Sequence, residues 1–132
     1  MIQLGISAFY HDSAACILID GKVIAAAEEE RFTQTKHDRS FPVNAIAFAL
    51  VEAGIKDIND VDEVCWYERP EDKEKRVLKM FNKHWFKTFF LRRKFKKEFK
   101  LNDPKYLLRH HFNYEGKIKY IPHHVSHAAF SY

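Results

Sequence analysis

Leu4-Gly5-Ile6-Ser7-Ala8-Phe9-Tyr10-His11-Asp12-Ser13-Ala14-Ala15-Cys16-Ile17-Leu18-Ile19-Asp20-Gly21-Lys22-Val23-Ile24-Ala25-Ala26-Ala27 is the stretch that decides the fold. Met1 to Ala8 alternates loosely and ends at the polar cluster Tyr10-His11-Asp12-Ser13. Ala14 to Ile19 and Lys22 to Ala27 are short apolar runs of strand length. Between them stands Asp20-Gly21, a two-residue hairpin signal, because glycine accepts the positive φ that a type I′ turn requires. The chain therefore opens as a meander of three antiparallel strands.

Further along, Thr33 to Ser40 is polar and loop-like. Pro42 suits a first helical turn, where its missing N–H costs little. Ala45, Ile46, Phe48, Ala49, Leu50 and Ala53 fit one face of a helix that Gly54 stops. Val61 to Tyr67 reads as a strand. Glu71 to Asn102 carries apolar residues at helical spacing and reads as one long helix or two. Asp103-Pro104 reads as an N-cap and first-turn proline of a helix through about His111. Asn113 to Gly116 is a turn, Ile118 to Ile121 a short strand, and a helix begins after Pro122.

The predicted order is an α/β mixed sheet, β-β-β-α-β-α-β-α, with a basic helical insertion over about 71–112. That is the order of a ribonuclease H-like subdomain of the actin-like ATPase type. Its alternating half implies parallel strands joined by right-handed crossovers. Residues 1–132 are expected to form a single subdomain.

Composition is that of a folded, soluble protein: 46% hydrophobic and 30% charged, with four Gly and four Pro in 132 residues. No apolar run approaches the roughly 20 residues of a membrane span. The start lacks the basic and small-residue pattern of a signal peptide. A cytoplasmic location is expected. Cys16 and Cys65 sit in apolar strand-like runs, the usual place of an inert reduced thiol. The net charge of +4 is local in origin, since Lys73 to Arg109 holds fourteen Lys/Arg against three acids. Trp85, Phe86, Phe89 and Phe90 lie among those bases, which makes a nucleic-acid-binding module the alternative function. Their helical spacing favours instead a packing face with a solvated basic back.

Three groups of residues can carry chemistry. Ser7, Asp12 and Ser13 bracket the first hairpin loop, where small polar side chains and backbone N–H groups can meet an anion. The same side chains also suit plain turn hydrogen bonds. His11 offers an imidazole, the side chain suited to moving a proton near neutral pH. In Ile121-Pro122-His123-His124-Val125-Ser126-His127, His123 and His127 are spaced i, i+4, so both imidazoles reach one metal ion from a single helix face. Two His do not complete a transition-metal site. In Glu28-Glu29-Glu30-Arg31, strand alternation would turn Glu28 and Glu30 to one face and Glu29 and Arg31 to the other. With Lys36 and His37 they would line a substrate site or form a solvated strand end.

Taken in order, Leu4-Gly5-Ile6-Ser7, His11-Asp12-Ser13-Ala14-Ala15, Ala27-Glu28-Glu29-Glu30-Arg31-Phe32-Thr33, Lys36-His37-Asp38, Phe41-Pro42, Tyr67-Glu68-Arg69-Pro70 and His123-His124-Val125-Ser126-His127-Ala128-Ala129 resemble the N-terminal part of the NodU/CmcH-type carbamoyltransferases. The resemblance runs nearly end to end. It implies a transferase that uses carbamoyl phosphate and ATP to form a carbamoyl-adenylate, with carbamoyl phosphate losing its phosphate to water and ATP releasing pyrophosphate. The carbamoyl group then passes to a hydroxyl of a small-molecule acceptor. It also implies that His123 and His127 ligate a divalent metal, iron before zinc or manganese, that holds the nucleotide. His11 would act beside the acceptor hydroxyl as the catalytic histidine, with Asp12 as a second catalytic candidate. Ser7 and Ser13 would contact the nucleotide and Lys36 the substrate.

Members of that family are several times longer. The resemblance thus implies that further metal carboxylates, the rest of the nucleotide cleft and a carbamoyl-phosphate domain lie outside this chain. The 132 residues alone are expected to be inactive, and to associate, as a homodimer, through surfaces a missing partner would cover.

Overall fold

The computed structural model describes residues 1–10, 12–82, 93, 97 and 101–129, with backbone alone at 80–82 and 127–129. Most of the basic aromatic segment, Trp85 and Phe86 included, lies outside them, as does His11. The chain is an α/β domain built on a mixed five-stranded sheet. Strands β1 (Ile2–Ser7), β2 (Ala14–Ile19) and β3 (Lys22–Glu28) form the expected antiparallel meander. Asp20 and Gly21 have φ of 51° and 78°, the two positive angles of the type I′ turn. β4 (Glu63–Trp66) then adds in parallel beside β1, and β5 (Ile118–Tyr120) in parallel beside β4, giving the order β3-β2-β1-β4-β5.

Two short helical segments follow the meander, α1 (Glu30–Thr33) and α2 (Val43–Glu52). α2 presents Ala45, Ile46, Ala49 and Leu50 to the sheet. The sheet answers with Leu4, Ile6, Ala15, Ile17, Val64 and Trp66, all buried. Alternation places these on one face. Burial of Leu4, Ile17 or Ile46 contributes roughly 1.5–3 kcal/mol each. Gly54, at φ 70°, closes the helix and donates its N–H to Val51 O at 3.0 Å.

The glutamate run does not alternate as a strand. β3 ends at Glu28, and the amides of Phe32 and Thr33 both bond to Glu29 O, at 3.0 and 3.1 Å, so the chain coils into α1. Glu29 is 2% exposed rather than solvated. Its Oε2 accepts from Ala45 N at 2.8 Å, and its Oε1 from Asn44 N and Nδ2 at 3.2 and 2.6 Å. Pro42, the N-cap position of α2, has no hydroxyl or carboxylate to satisfy those first amides. A carboxylate from fifteen residues earlier does so instead.

Past β4 come α3 (Pro70–Asn82), α4 (Pro104–Phe112) and α5 (His123–Ala129). Asp103 caps α4 by accepting Lys105 N at 3.0 Å, with Pro104 in the first turn as expected. Asn113 ends α4 in the left-handed region at φ 55°. Leu108 of α4 is fully buried in the same core as α2. Among the described residues, no helix is long and apolar enough to cross a membrane.

Candidate functional site

The sheet face opposite the core carries the complementary set of side chains. Gly5, Ser7, Ala14, Cys16, Ala26 and Cys65 line an open groove of about 1280 Å³. These are small residues, and their size is what leaves the space. Tyr67, Ile121, His123 and Ser126 form one end, and Glu28, Arg31 and Phe32 the other. The groove thus runs past the carboxyl ends of the parallel strands, where open α/β sheets bind ligands.

The hairpin loop at the end of β1 is strapped to the loop after α1. Phe9 N donates to Arg39 O at 3.1 Å and Ser13 N to Asp38 O at 3.0 Å. His37 Nδ1 lies 2.9 Å from Asp12 Oδ1, and His37 N donates to Glu30 Oε2 at 2.9 Å. Four non-glycine residues here, Phe9, Asp12, Gln34 and His37, adopt φ between 54° and 67°. Each such conformation costs roughly 1–2 kcal/mol and persists only where surrounding contacts enforce it. Asp38 helps enforce it: bonds from Ser40 and then Thr33 hold its carboxyl below the usual range. On the other side, Lys73 of α3 sits 5.7 Å over the Phe9 ring, and burial pulls its ammonium pKa down.

Ser7 lines the groove, and its Oγ donates to Asp12 O at 3.4 Å. Asp12 belongs to the Asp12–His37 pair. Ser13 is 1% exposed, and its Oγ finds no hydrogen-bond partner among the described residues. Lys36 is exposed beside His37 and does not line the groove. His123 lines it at the first turn of α5, and His127 follows one turn later on the same helix, its side chain outside the described residues. His11 is outside them too. The structure therefore brings Ser7 and His123 to one groove, links Asp12 to it through the Ser7 hydroxyl, and leaves Lys36 and Ser13 out of its lining.

Two sets of donors can be weighed for a metal. Asp12, Glu30 and His37 offer ligand atoms within 4.8 Å of one another, but these atoms hold one another and the loop. His123 faces the groove with its Nδ1 3.8 Å from Glu68 Oε1, and i, i+4 spacing puts His127 on the same face of α5. A histidine on the groove with a carboxylate nearby, and a second histidine four positions on in the same helix, is a residue set that suits a borderline divalent cation. In the sequence Glu68 stood only within the matched stretch Tyr67-Glu68-Arg69-Pro70, with no role attached. It is a buried carboxylate just past β4, paired with Arg76 of α3.

The two cysteines stand on either side of Gly5, which pairs with Cys16 on β2 and Cys65 on β4. They are half-buried in the groove rather than fully buried in strands. Burial, then a hydrogen bond to Glu63, pushes the Cys65 thiol up to about 11, and burial raises Cys16 as well. The thiolate is the nucleophile, so at pH 8 iodoacetamide should alkylate Cys65 roughly a hundredfold more slowly than in the urea-unfolded chain. The rate should climb as pH rises toward 11. Equal rates in folded and unfolded protein, followed by mass spectrometry, would refute the assignment.

Comparison with known proteins now adds to this geometry. The family model described as "Carbamoyltransferase N-terminus" matches residues 2–132. The chain is 50% identical over 78 residues to "Uncharacterized protein sll1178" of Synechocystis sp., covering 59% of this chain and 12% of that one. It is 39% identical over 61 residues to "Uncharacterized 19.2 kDa protein in syrM 5'region" of Rhizobium etli, covering 46% and 35%. It is 42% identical over 59 residues to "Nodulation protein NolNO" of Sinorhizobium fredii, covering 45% and 8%. The chain thus spans about a third or less of the length of these relatives. With the family match running along essentially its whole length, the chain belongs to the carbamoyltransferase N-terminus family.

Proposed function

We propose that this chain is the nucleotide- and metal-holding lobe of an enzyme that carbamoylates a small-molecule hydroxyl, using carbamoyl phosphate and ATP. The carrying observation is that His123 opens a helix at the carboxyl edge of the parallel strands and faces a groove floored by Gly5, Ser7 and Ala14. A meander followed by parallel β4 and β5, in the order β3-β2-β1-β4-β5, supports a ribonuclease H-like lobe. Small residues on the floor leave room for a nucleotide, and Ser7 borders it.

His123 and His127 would hold a divalent cation, iron before zinc or manganese, which supplies positive charge to the nucleotide's phosphates. His11 falls in the sequence of the strapped hairpin loop, and the family resemblance places it beside the acceptor hydroxyl. Asp12 pairs with His37 and is not among the residues that line the groove. His11 would take the hydroxyl proton as the acceptor oxygen bonds to the carbamoyl carbon and AMP leaves. A cytoplasmic location accords with a substrate set of carbamoyl phosphate and ATP.

The test is pyrophosphate release by the full-length protein, supplied with ATP, carbamoyl phosphate and a panel of hydroxylated acceptors. Release should require both ATP and carbamoyl phosphate. His123→Ala should lower it by at least roughly a hundredfold, the scale of losing a metal ligand, while circular dichroism stays unchanged. Pyrophosphate release that ignores carbamoyl phosphate, or that survives His123→Ala, would overturn the reading.

A further inference from the structure

Glu68 is 3% exposed, yet the proposed chemistry gives it no task. A carboxylate taken out of water is costly unless it is paired, and even a paired one seldom stabilises more than an apolar side chain of the same size. Arg76 of α3 supplies the pair through Oε1. That explains how the charge is tolerated but not why it is there.

The second neighbour gives a reason. The same Oε1 lies 3.8 Å from His123 Nδ1, beyond hydrogen-bond length, so the carboxylate acts on the ring as a nearby charge. Two bonds set this approach. Ile121 N donates to Trp66 O at 2.9 Å, and Ser126 Oγ donates to Tyr67 O at 2.8 Å. The end of β4 and the start of α5 are thus locked side by side, with Glu68 on one and His123 on the other. An imidazole has two distinct nitrogens, and a negative charge nearest Nδ1 favours the proton there, which leaves the lone pair on Nε2. His123 lines the groove.

We propose that Glu68 is a positioning residue for His123: it holds the Nδ1–H tautomer and aims Nε2 at a divalent cation in the groove. This rests on the reading of His123 as a metal ligand. Because Arg76 shares the same oxygen, α3 is tied to the site as well.

The experiment uses the full-length protein labelled with ¹⁵N-histidine, first metal-free and then titrated with Co²⁺. In unsubstituted protein the His123 nitrogen shifts should report Nδ1–H. Glu68→Gln should lose that preference and weaken Co²⁺ binding 10–100-fold, the usual effect of removing an outer-sphere carboxylate. Glu68→Asp should fall between the two, and it keeps the question answerable where the Gln variant folds poorly. Arg76→Met removes the ion pair but leaves Glu68 beside His123. It should keep the tautomer and hold Co²⁺ affinity within about threefold, well short of a lost outer-sphere carboxylate. An unchanged tautomer in Glu68→Gln overturns the assignment, whether or not Co²⁺ binds. An Arg76→Met loss equal to that of Glu68→Gln overturns it too, by making Glu68 a structural ion-pair partner. If unsubstituted protein binds no Co²⁺ yet keeps the Glu68-dependent tautomer, it is the metal reading that fails.

Discussion

Glu29→Ala should be among the most destabilising single substitutions in the described chain, lowering stability by roughly 2–4 kcal/mol. The carboxylate accepts three bonds, from Ala45 N, Asn44 N and Asn44 Nδ2. Alanine leaves the buried Ala45 N–H with nothing to replace Glu29, since Pro42 provides no cap, and turns the amides of exposed Asn44 over to water. The negative charge at the start of α2 is lost with them. α2 is the helix that covers the core face of the sheet, so a frayed first turn exposes Ala45 and Ile46, both fully buried. Glu29→Gln should cost less, because one carbonyl oxygen remains to accept. Thermal unfolding followed by circular dichroism should place wild type, Gln and Ala in descending order of midpoint. An Ala variant within about 0.5 kcal/mol of wild type, the range of a neutral surface change, would show that α2 is held by its apolar face alone.

This glutamate also marks where the sequence stops being readable. Asp20-Gly21 and Asp103-Pro104 were legible because their physics is local: two positive φ angles in one case, one cap and one proline in the other. Gly54 is legible for the same reason. Glu29 is not, because its partners lie fifteen and sixteen residues away and an unbroken run of acids straight after apolar β3 reads as that strand's continuation. The Asp12–His37 contact spans twenty-five residues and depends on left-handed backbone at both ends, which neither residue type announces. At the site, the i, i+4 histidines carry their own spacing signal, whereas Glu68 becomes meaningful only when β4 and α5 are laid together. The groove was hidden for a related reason. Gly5, Ala14, Cys16 and Ala26 look like ordinary apolar strand residues until the sheet shows which face each one takes.

Gly5 provides the second large effect, and it separates the groove's volume from the sheet's stability. It lies on the central strand, in register with Cys16 on one side and Cys65 on the other. A Cβ at this position would stand 3.0 Å from Cys16 Sγ, closer than ordinary van der Waals contact. Gly5→Val should therefore lower stability by roughly 1–3 kcal/mol through overpacking, against a smaller gain from the β-branched side chain in a strand. Cys16→Ala in the same chain removes the sulfur that the new side chain strikes. The double variant should recover part of the loss, with a coupling of roughly 0.5–3 kcal/mol. Nucleotide binding by the full-length protein should not recover, because the valine still stands on the groove floor. Stability rescued without binding is the result expected of a groove whose floor must be empty. If Cys16→Ala restores both, Gly5 matters only for packing and the ligand lies elsewhere. If Gly5→Val binds ATP as wild type does, the small-residue face is not the nucleotide's floor. Either outcome would move the candidate site away from the strand that carries Ser7.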